Sequence, residues 1–104
     1  MIERENFPCP ATKTINILKG KFTLEILSEI MNNHNHYGTL MRNIPDINPR
    51  ILATRLRELE KIDILSRTEI PTNPPQFAYH LTEKGKALQP IVDSMKAWYI
   101  SYQI

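Results

Sequence analysis

Apolar residues in the first half of the chain recur at helical spacing and predict three short helices. The first begins at Pro10, because proline favours the first position of a helix, and Gly20 is a natural stop. A second helix is predicted over 23–31, and a third over 37–44 after the loop "NNHNH". The apolar sides consist of Ile15, Leu18 and Phe22 in the first helix, Leu24, Leu27, Ile30 and Met31 in the second, and Tyr37, Leu40, Met41 and Ile44 in the third.

The segment "NPRILATRLRELEK", residues 48–61, predicts a fourth helix. Asn48 is a good N-cap and Pro49 a good first residue, so the helix is expected to begin here. Only the short turn "IPDIN" separates it from the third helix, and two helices joined in this way form a helix-turn-helix over 37–61. The buried side of the fourth helix is expected to contain Leu52, Leu56 and Leu59.

The second half of the chain begins with strand-like segments. "ILSRTEI" and "FAYHL" are predicted strands with "PTNPP" as a stiff connection, which gives a β-hairpin over 64–81. Thr82 is expected to cap a final helix over 83–104, in which Pro90 should cause a bend. A helix-turn-helix followed by a hairpin is the order of a winged helix. The predicted fold is therefore α+β and mostly helical, with N- and C-terminal helices for dimerisation.

The composition fits one globular domain over 1–104. Hydrophobic residues make up 41% and charged residues 23% of the 104 residues, which excludes a disordered chain. The formal net charge of +2 does not by itself indicate nucleic-acid binding. No apolar run reaches the roughly 20 residues of a membrane helix, and the start "MIERENFPCP" lacks the apolar stretch of a signal peptide. A single cysteine allows no intramolecular disulfide, and a cytoplasmic protein is expected.

One side of the 48–61 helix is basic. At 100° per residue, about one third of its circumference holds Arg50, Ala53, Thr54, Arg57 and Lys61. An α-helix fits the major groove of B-DNA, where arginine can form two hydrogen bonds to guanine and a threonine methyl can touch thymine. The alternative is a solvated face with exposed ion pairs, such as Arg57 with Glu60. The helix-turn-helix context favours double-stranded DNA as the partner.

Two further arginines have different predicted positions. Arg55 projects toward the apolar side of the helix, so its stem is expected to pack and its guanidinium to pair with Glu58 or another carboxylate. Arg67 lies on the strand that leads into the hairpin, where a DNA phosphate contact is predicted.

The histidines His34 and His36 form an H-x-H pair. Zinc needs three or four ligands, and the chain offers only Cys9 and His80 far away in sequence, so neither a metal site nor a cofactor is predicted. His36 is expected instead either to contact a DNA phosphate, which it would bind better when protonated, or to make no contact.

The final helix carries a long apolar stripe of Leu88, Ile91, Val92, Met95, Trp98, Tyr99 and Tyr102. About half of this stripe is expected to belong to the core. Met95, Trp98, Tyr99 and Tyr102 are predicted to contact a second copy, since Trp and Tyr suit interfaces. A two-fold homodimer would place two recognition helices about 34 Å apart, on successive major grooves of a palindromic site.

The sequence resembles the HxlR-type family of winged-helix transcriptional regulators, relatives of the MarR group, from about Cys9 to Trp98. The matching segments are "CP" at 9–10, "LKGKFT" at 18–23, "IPDINPRILATRLRELE" at 44–60, "PPQFAYHLTEKGKALQPIV" at 74–92, and Trp98. The resemblance implies a dimeric DNA-binding protein, with the 48–61 helix as recognition helix and the hairpin as wing.

The sequence departs from the family pattern at several positions. Phe22 stands where the family usually has Trp, and 36–37 where it has Arg-Phe. Thr39 replaces a Glu, and Asp63 replaces a Gly after the recognition helix. Gln76 replaces an Arg or Lys after the double proline of the wing, which removes a phosphate contact that the resemblance implies.

The lone cysteine, Cys9, stands at a predicted helix start. The helix dipole and Lys13, one turn on, would favour its thiolate. Some members of the resembled family sense quinones, aldehydes or disulfide stress through a cysteine at the matching position, which implies a small electrophile or oxidant as effector. A cysteine that only caps the helix or packs is the alternative, and both remain open at this point.

Together these features predict a homodimeric transcriptional regulator that binds a palindromic operator, and control by thiol modification of Cys9 is one of the two roles left open for that residue. A winged-helix module that binds proteins and has lost DNA binding is the alternative. An enzyme is not expected, because the chain has no Ser/His/Asp or Cys/His constellation and only three glycines.

Overall fold

The computed structural model describes residues 9–103, so the lead before Cys9 and the last residue lie outside the described part. The predicted order of a helix-turn-helix followed by a hairpin is confirmed. The elements of the described part are α1 (Pro10–Leu18), α2 (Thr23–Met31), α3 (Tyr37–Asn43), α4 (Pro49–Lys61), β1 (Leu65–Ile70), β2 (Gln76–Leu81), α5 (Glu83–Lys86) and α6 (Gln89–Ser101).

Two predicted N-caps are formed as expected. The side-chain Oδ1 of Asn48 accepts a hydrogen bond of 2.9 Å from the backbone N–H of Ile51. The hydroxyl of Thr82 accepts a 3.0 Å bond from the N–H of Gly85. Each bond satisfies one of the backbone donors that the first turn of a helix leaves unpaired, so these two short sequence signals determine where α4 and α5 begin.

The wing is an antiparallel hairpin that receives a third partner from the loop before α3. β1 and β2 pair from Leu65↔Leu81 to Ile70↔Gln76. His36 forms an isolated bridge with Ala78, and the N–H of Tyr79 donates to the carbonyl of Asn35 at 2.9 Å. The α2–α3 loop therefore covers the outer edge of β2 and connects the helix-turn-helix to the wing.

The core lies where α2, α3 and α4 meet the hairpin. Its most deeply buried side chains are Leu18, Ile26, Leu27, Leu40, Leu52, Leu56, Ile64, Leu65 and Val92. All three leucines predicted to be buried on α4 are buried. On α2, Leu27 and Ile30 are buried as expected, whereas Leu24 and Met31 are half-buried and Ile26, which the helical spacing missed, is fully buried.

Gly20 lies between α1 and α2 as predicted. It does not end α1 by adopting a left-handed conformation. The residue with positive φ in this connection is Phe22, at 70°. A Cβ on Gly20 would lie 2.8 Å from Oγ1 of Thr23 and 3.0 Å from Nε of Arg55. Glycine is favoured here because a larger residue would crowd the side chains of Thr23 and Arg55.

Asp63, which follows α4, has a φ of 65°. Glycine adopts this left-handed conformation freely, and aspartate adopts it more readily than most residues. This geometry explains why a glycine suits the position and how the chain keeps the same turn without one.

One expectation about the C-terminal helix was wrong. The segment after Thr82 is not one bent helix, because α5 ends at Lys86 and α6 begins at Gln89 with Pro90 in its first turn. Proline has no N–H to donate and its ring clashes with the carbonyl four residues earlier, so the helix breaks and restarts. On α1 only Leu18 is buried, and Ile15, of the predicted apolar side, is 46% exposed. No helix in the part of the chain described is long and apolar enough to cross a bilayer.

Candidate nucleic-acid interface

α4 presents its basic side outward because its opposite side is anchored in the core. Leu52, Leu56 and Leu59 are at most 2% exposed, which holds the helix in one rotation about its axis. Of the predicted DNA-contacting residues, Arg50, Arg57 and Lys61 are exposed, and Ala53 and Thr54 are half-buried. The sides predicted from helical spacing are thus the sides observed.

The basic side of α4 contains an open hollow of about 550 Å³. Its lining residues are Thr54, Arg57, Glu58, Glu60 and Lys61. Two carboxylates therefore border the arginine and lysine side chains on the surface that would face DNA. Unpaired carboxylates at such a position would repel phosphates.

Arg55 is engaged in the scaffold, as predicted. Its Nε donates to the backbone carbonyl of Lys21 at 2.9 Å, and its Nη1 lies 3.2 Å from Oε1 of Glu58. The side chain is only 22% exposed. Arg55 therefore joins α4 to the α1–α2 connection, and it neutralises Glu58 at the same time.

Arg67 extends from β1 toward the end of α4. Its Nε lies 3.9 Å from Oε2 of Glu60, and its guanidinium carbon lies 4.8 Å from the centre of the Phe77 ring. The residue pairs across the strands with Tyr79. Burial raises the pKa of the Tyr79 hydroxyl above its ordinary value of 10.0, and the positive charge of Arg67 lowers it in part. Arg67 thus lies among Glu60, Phe77 and Tyr79, where it contacts the helix and both strands.

A second hollow, of about 420 Å³, lies between α3 and the wing. The exposed His36 lines it together with Thr39, Arg42, Gln76 and Phe77. Arg42 donates to the hydroxyl of Thr39 at 3.3 Å. The sequence patterns did not single out Arg42 as a residue of this surface, because one arginine on a short amphipathic helix is ordinarily a solvated residue. Its only sequence signal is its place in the last turn of α3, on the exposed side.

The start of α3, which lines the second hollow, is bonded to the start of α4. The hydroxyl of Tyr37 donates to the carbonyl of Pro49 at 3.4 Å. At the other end of α3, Oε1 of Glu29 accepts from the side-chain amide of Asn43 at 2.9 Å and lies 3.0 Å from Nδ1 of His34. α3 is therefore attached at both ends.

Two of the histidines contact side chains of neighbouring elements. His34 contacts Glu29, and Nδ1 of His80 lies 3.4 Å from the side-chain amide of Asn35. Among residues 9–103, no three His, Cys, Asp or Glu side chains converge on a point that could hold a metal ion.

The thiol of Cys9 is exposed, and no side-chain hydrogen bond caps α1. The backbone carbonyl of Cys9 instead accepts from the N–H of Thr12 at 2.8 Å. The alternative in which this cysteine caps the helix or packs in the core does not fit this geometry. The thiol is open to reagents from solvent.

The end of α6 presents a cluster of exposed apolar side chains. Trp98, Tyr99 and Tyr102 are 65%, 61% and 69% exposed, whereas Met95 is half-buried at the edge of the core. The ring centroids of Trp98 and Tyr102 lie 5.6 Å apart, and the ring planes are tilted by 36°. Apolar surface of this size on one helix end is typical of an interaction site.

Comparison with known proteins agrees with this geometry. Residues 17–103 match the model of the family described as HxlR-like helix-turn-helix. The HTH-type transcriptional regulator YodB of Bacillus subtilis is 36% identical over 94 residues, covering 89% of this chain and 84% of YodB. Among solved structures, the redox regulator HypR in its oxidized form superposes with a TM-score of 0.82 at 33% identity, covering 92% of this chain and 99% of the HypR chain.

The diamide-treated form of YodB superposes with a TM-score of 0.72 at 32% identity, over 92% of this chain and 96% of that chain. The resemblance drawn from the sequence and the winged-helix fold that it implied are thus confirmed. The chain is a transcriptional regulator with a helix-turn-helix DNA-binding domain, and it belongs to the HxlR-like helix-turn-helix family.

Proposed function

We propose that this regulator binds a palindromic DNA site as a homodimer, with α4 of each protomer in the major groove and thiol chemistry at Cys9 as its control. The observation that carries the proposal is the outward basic side of α4, with Arg50, Thr54 and Arg57 next to one another on a helix that the core holds rigidly. α4 has 13 residues, a length of roughly 20 Å, which suits insertion into the major groove.

The roles of the contacting residues follow from their positions. Arg57 and Arg50 flank Thr54 and Ala53, whose small side chains allow the helix to approach base edges. We assign phosphate contacts, which set the register of the helix on DNA, to Lys61 at the end of α4 and to His36 beside the wing. For Arg67 the sequence predicts a phosphate contact, and the variants in the next subsection test that contact against a role as the partner of Glu60.

A homodimer is supported by the apolar end of α6. Trp98 and the two tyrosines near it gain little from the core of their own protomer, since each is more than half exposed. Pairing two α6 helices would remove this surface from water and relate the two α4 helices by a two-fold axis. A palindromic operator follows from that symmetry.

The experiment for DNA binding is a mobility-shift titration on the DNA upstream of the protein's own gene. The expected result is a shifted complex whose affinity falls steeply as salt rises, because phosphate contacts release counterions. A complete lack of shift at low salt would instead favour the alternative, a winged-helix module that binds another protein.

Control by Cys9 is supported by the exposure of its thiol and by the relatives: HypR is a redox regulator, and YodB has been captured after diamide treatment. With one cysteine per chain, diamide oxidation must form a disulfide between protomers or with a small thiol, and an electrophile would form a sulfur–carbon bond. In diamide treatment the reagent takes up the two electrons and two protons that the two thiols lose.

We expect diamide or a quinone to release the wild-type protein from DNA, and Cys9→Ser to keep the protein bound after the same treatment. Mass spectrometry of the intact protein distinguishes a disulfide-linked dimer from a small-thiol adduct or an alkylated thiol. Release of Cys9→Ser from DNA by these reagents would exclude control through this thiol.

A further inference from the structure

Glu58 and Glu60 are the two carboxylates at the borders of the basic side of α4. Each of them lies beside an arginine that does not belong to the basic side. Glu58 is paired with Arg55, and Glu60 lies within 3.9 Å of Arg67. We propose that Arg67 promotes DNA binding by neutralising Glu60, as a positioning residue, and not by contacting a phosphate. The inference rests on the proposed binding of α4 in the major groove.

The position of Glu60 allows its negative charge to affect the binding of DNA phosphates. Glu60 follows Arg57 by three residues, which places the two side chains about 60° apart around the helix axis. Both line the same open hollow, and the side chain of Glu60 is 36% exposed. When DNA backbone passes between α4 and the wing, a free Glu60 carboxylate faces the phosphates and repels them.

The position of Arg67 fits a partner for Glu60 better than a partner for DNA. Its guanidinium lies over the face of Phe77, which favours a cation, and its strand position opposite Tyr79 directs it toward the end of α4. Phe77 and Arg67 are diagonal neighbours on the paired strands, so the wing itself holds the charge in place. The side chain is 48% exposed, which leaves the ion pair close enough to the surface to change the potential that DNA meets.

The test is a double-mutant cycle with Arg67→Met and Glu60→Gln. Methionine keeps an unbranched apolar stem against Phe77 without the charge, and glutamine keeps the shape of glutamate. The probe is a 30-base-pair duplex selected by the wild-type protein from a randomised pool, and affinity is measured across a salt series. Glu58→Gln combined with Arg67→Met is the matched control, because it removes a carboxylate at the opposite border that Arg67 does not contact.

We expect Arg67→Met alone to weaken binding about threefold at low salt, the size of an exposed charge effect. The Arg67→Met/Glu60→Gln variant should bind as tightly as wild type and with the same salt slope, whereas the Glu58→Gln control should remain weak. Arg67→Lys, which keeps the charge, should bind within about twofold of wild type. Thermal unfolding of each variant establishes that it is folded.

The proposal is overturned if Arg67→Met leaves the affinity unchanged. It is also overturned if the double variant stays as weak as Arg67→Met, with a salt slope lower by about one, because that result assigns a phosphate contact to Arg67. If the wild-type protein selects no duplex from the pool, the proposed DNA binding fails, which is a different outcome from a failed cycle.

Discussion

Arg55 and Arg57 are two residues apart on α4, and a rotation of about 200° around the helix axis separates their side chains. Arg55 bonds to the carbonyl of Lys21 and contacts Glu58, whereas Arg57 lies in the open hollow. Residues of one type in one short segment therefore have different roles, because the core decides which direction each of them faces. Substitutions at these positions should separate stability from DNA recognition.

Arg57→Ala is expected to weaken binding to the cognate duplex by about 1–3 kcal/mol and to relax the preference at one operator position. The free energy of unfolding should change by less than about 0.5 kcal/mol, because the side chain is exposed. Titrations against duplexes with single base changes measure both effects. Lys61→Ala is the control and should weaken binding to every duplex alike. Equal weakening on every duplex by Arg57→Ala would instead assign that residue to phosphate.

Tyr79 should make the stability of the protein sensitive to alkaline pH. Its pKa is raised mainly by burial, so the folded state holds the hydroxyl proton more tightly than the unfolded chain does. The stabilising effect is complete below the unfolded pKa of 10.0 and is lost as pH rises through the higher folded pKa. Denaturant unfolding of wild type and Tyr79→Phe across this range is the measurement. Above pH 10 the free energy of unfolding of wild type should fall relative to that of Tyr79→Phe. A difference between the two proteins that stays constant across this pH range would contradict the prediction.

At the scale of elements, short signals in the sequence act through single hydrogen bonds. Asn48 closes the first turn of α4, and Thr82 does the same for α5. Contacts distant in sequence then hold these elements together: the carbonyl of Asn35 bonds to β2, and Tyr37 bonds to the start of α4. The recognition helix is therefore positioned by its own cap and by the two elements beside it.

Asn48→Ala is expected to lower the free energy of unfolding by about 1 kcal/mol, because the N–H of Ile51 loses its acceptor. Denaturant titration measures the change. Asn48→Asp is the matched control, since aspartate caps helices as well as asparagine does, and it should stay within a few tenths of a kcal/mol. Equal stability of the alanine and aspartate variants would show that the cap bond contributes nothing.

At the scale of the whole molecule, the described residues form a core and leave an apolar surface at the end of α6 that this core does not use. Val92 of α6 is buried and Met95 is half-buried, whereas Trp98, Tyr99 and Tyr102 further along the helix point into solvent. The same stripe thus changes from core to surface along one helix.

We expect the double variant Trp98→Ala/Tyr102→Ala to be monomeric at micromolar concentration while wild type is dimeric, as measured by sedimentation velocity. Both side chains are more than 60% exposed, so the thermal unfolding of the domain itself should change little. DNA affinity should fall with the loss of the second recognition helix. Ile62→Ser, at an exposed apolar residue after α4, is the control and should remain dimeric. A monomeric wild type at this concentration would contradict the proposed assembly.

The sequence by itself determined the elements and their order, and it determined the side of α4 that carries Arg50, Thr54 and Arg57. These features depend on local causes: residue spacing, the Asn48 and Thr82 caps, and the strand-like segments around "PTNPP". The helix break before Pro90 could also have been predicted from the sequence, because proline is tolerated in the first turn of a helix but is disruptive inside one. Only the restart at Gln89 needed the structure.

The tertiary structure decided the features that depend on residues far apart in the chain. It placed Arg67 of the wing against Glu60 of α4, the Asn35 carbonyl on β2, and Arg55 in the space left by Gly20. It also left the Cys9 thiol exposed and Arg42 beside the wing. No local pattern encodes these contacts, because they exist only once the core has fixed the distances between α4, the wing and the α1–α2 connection.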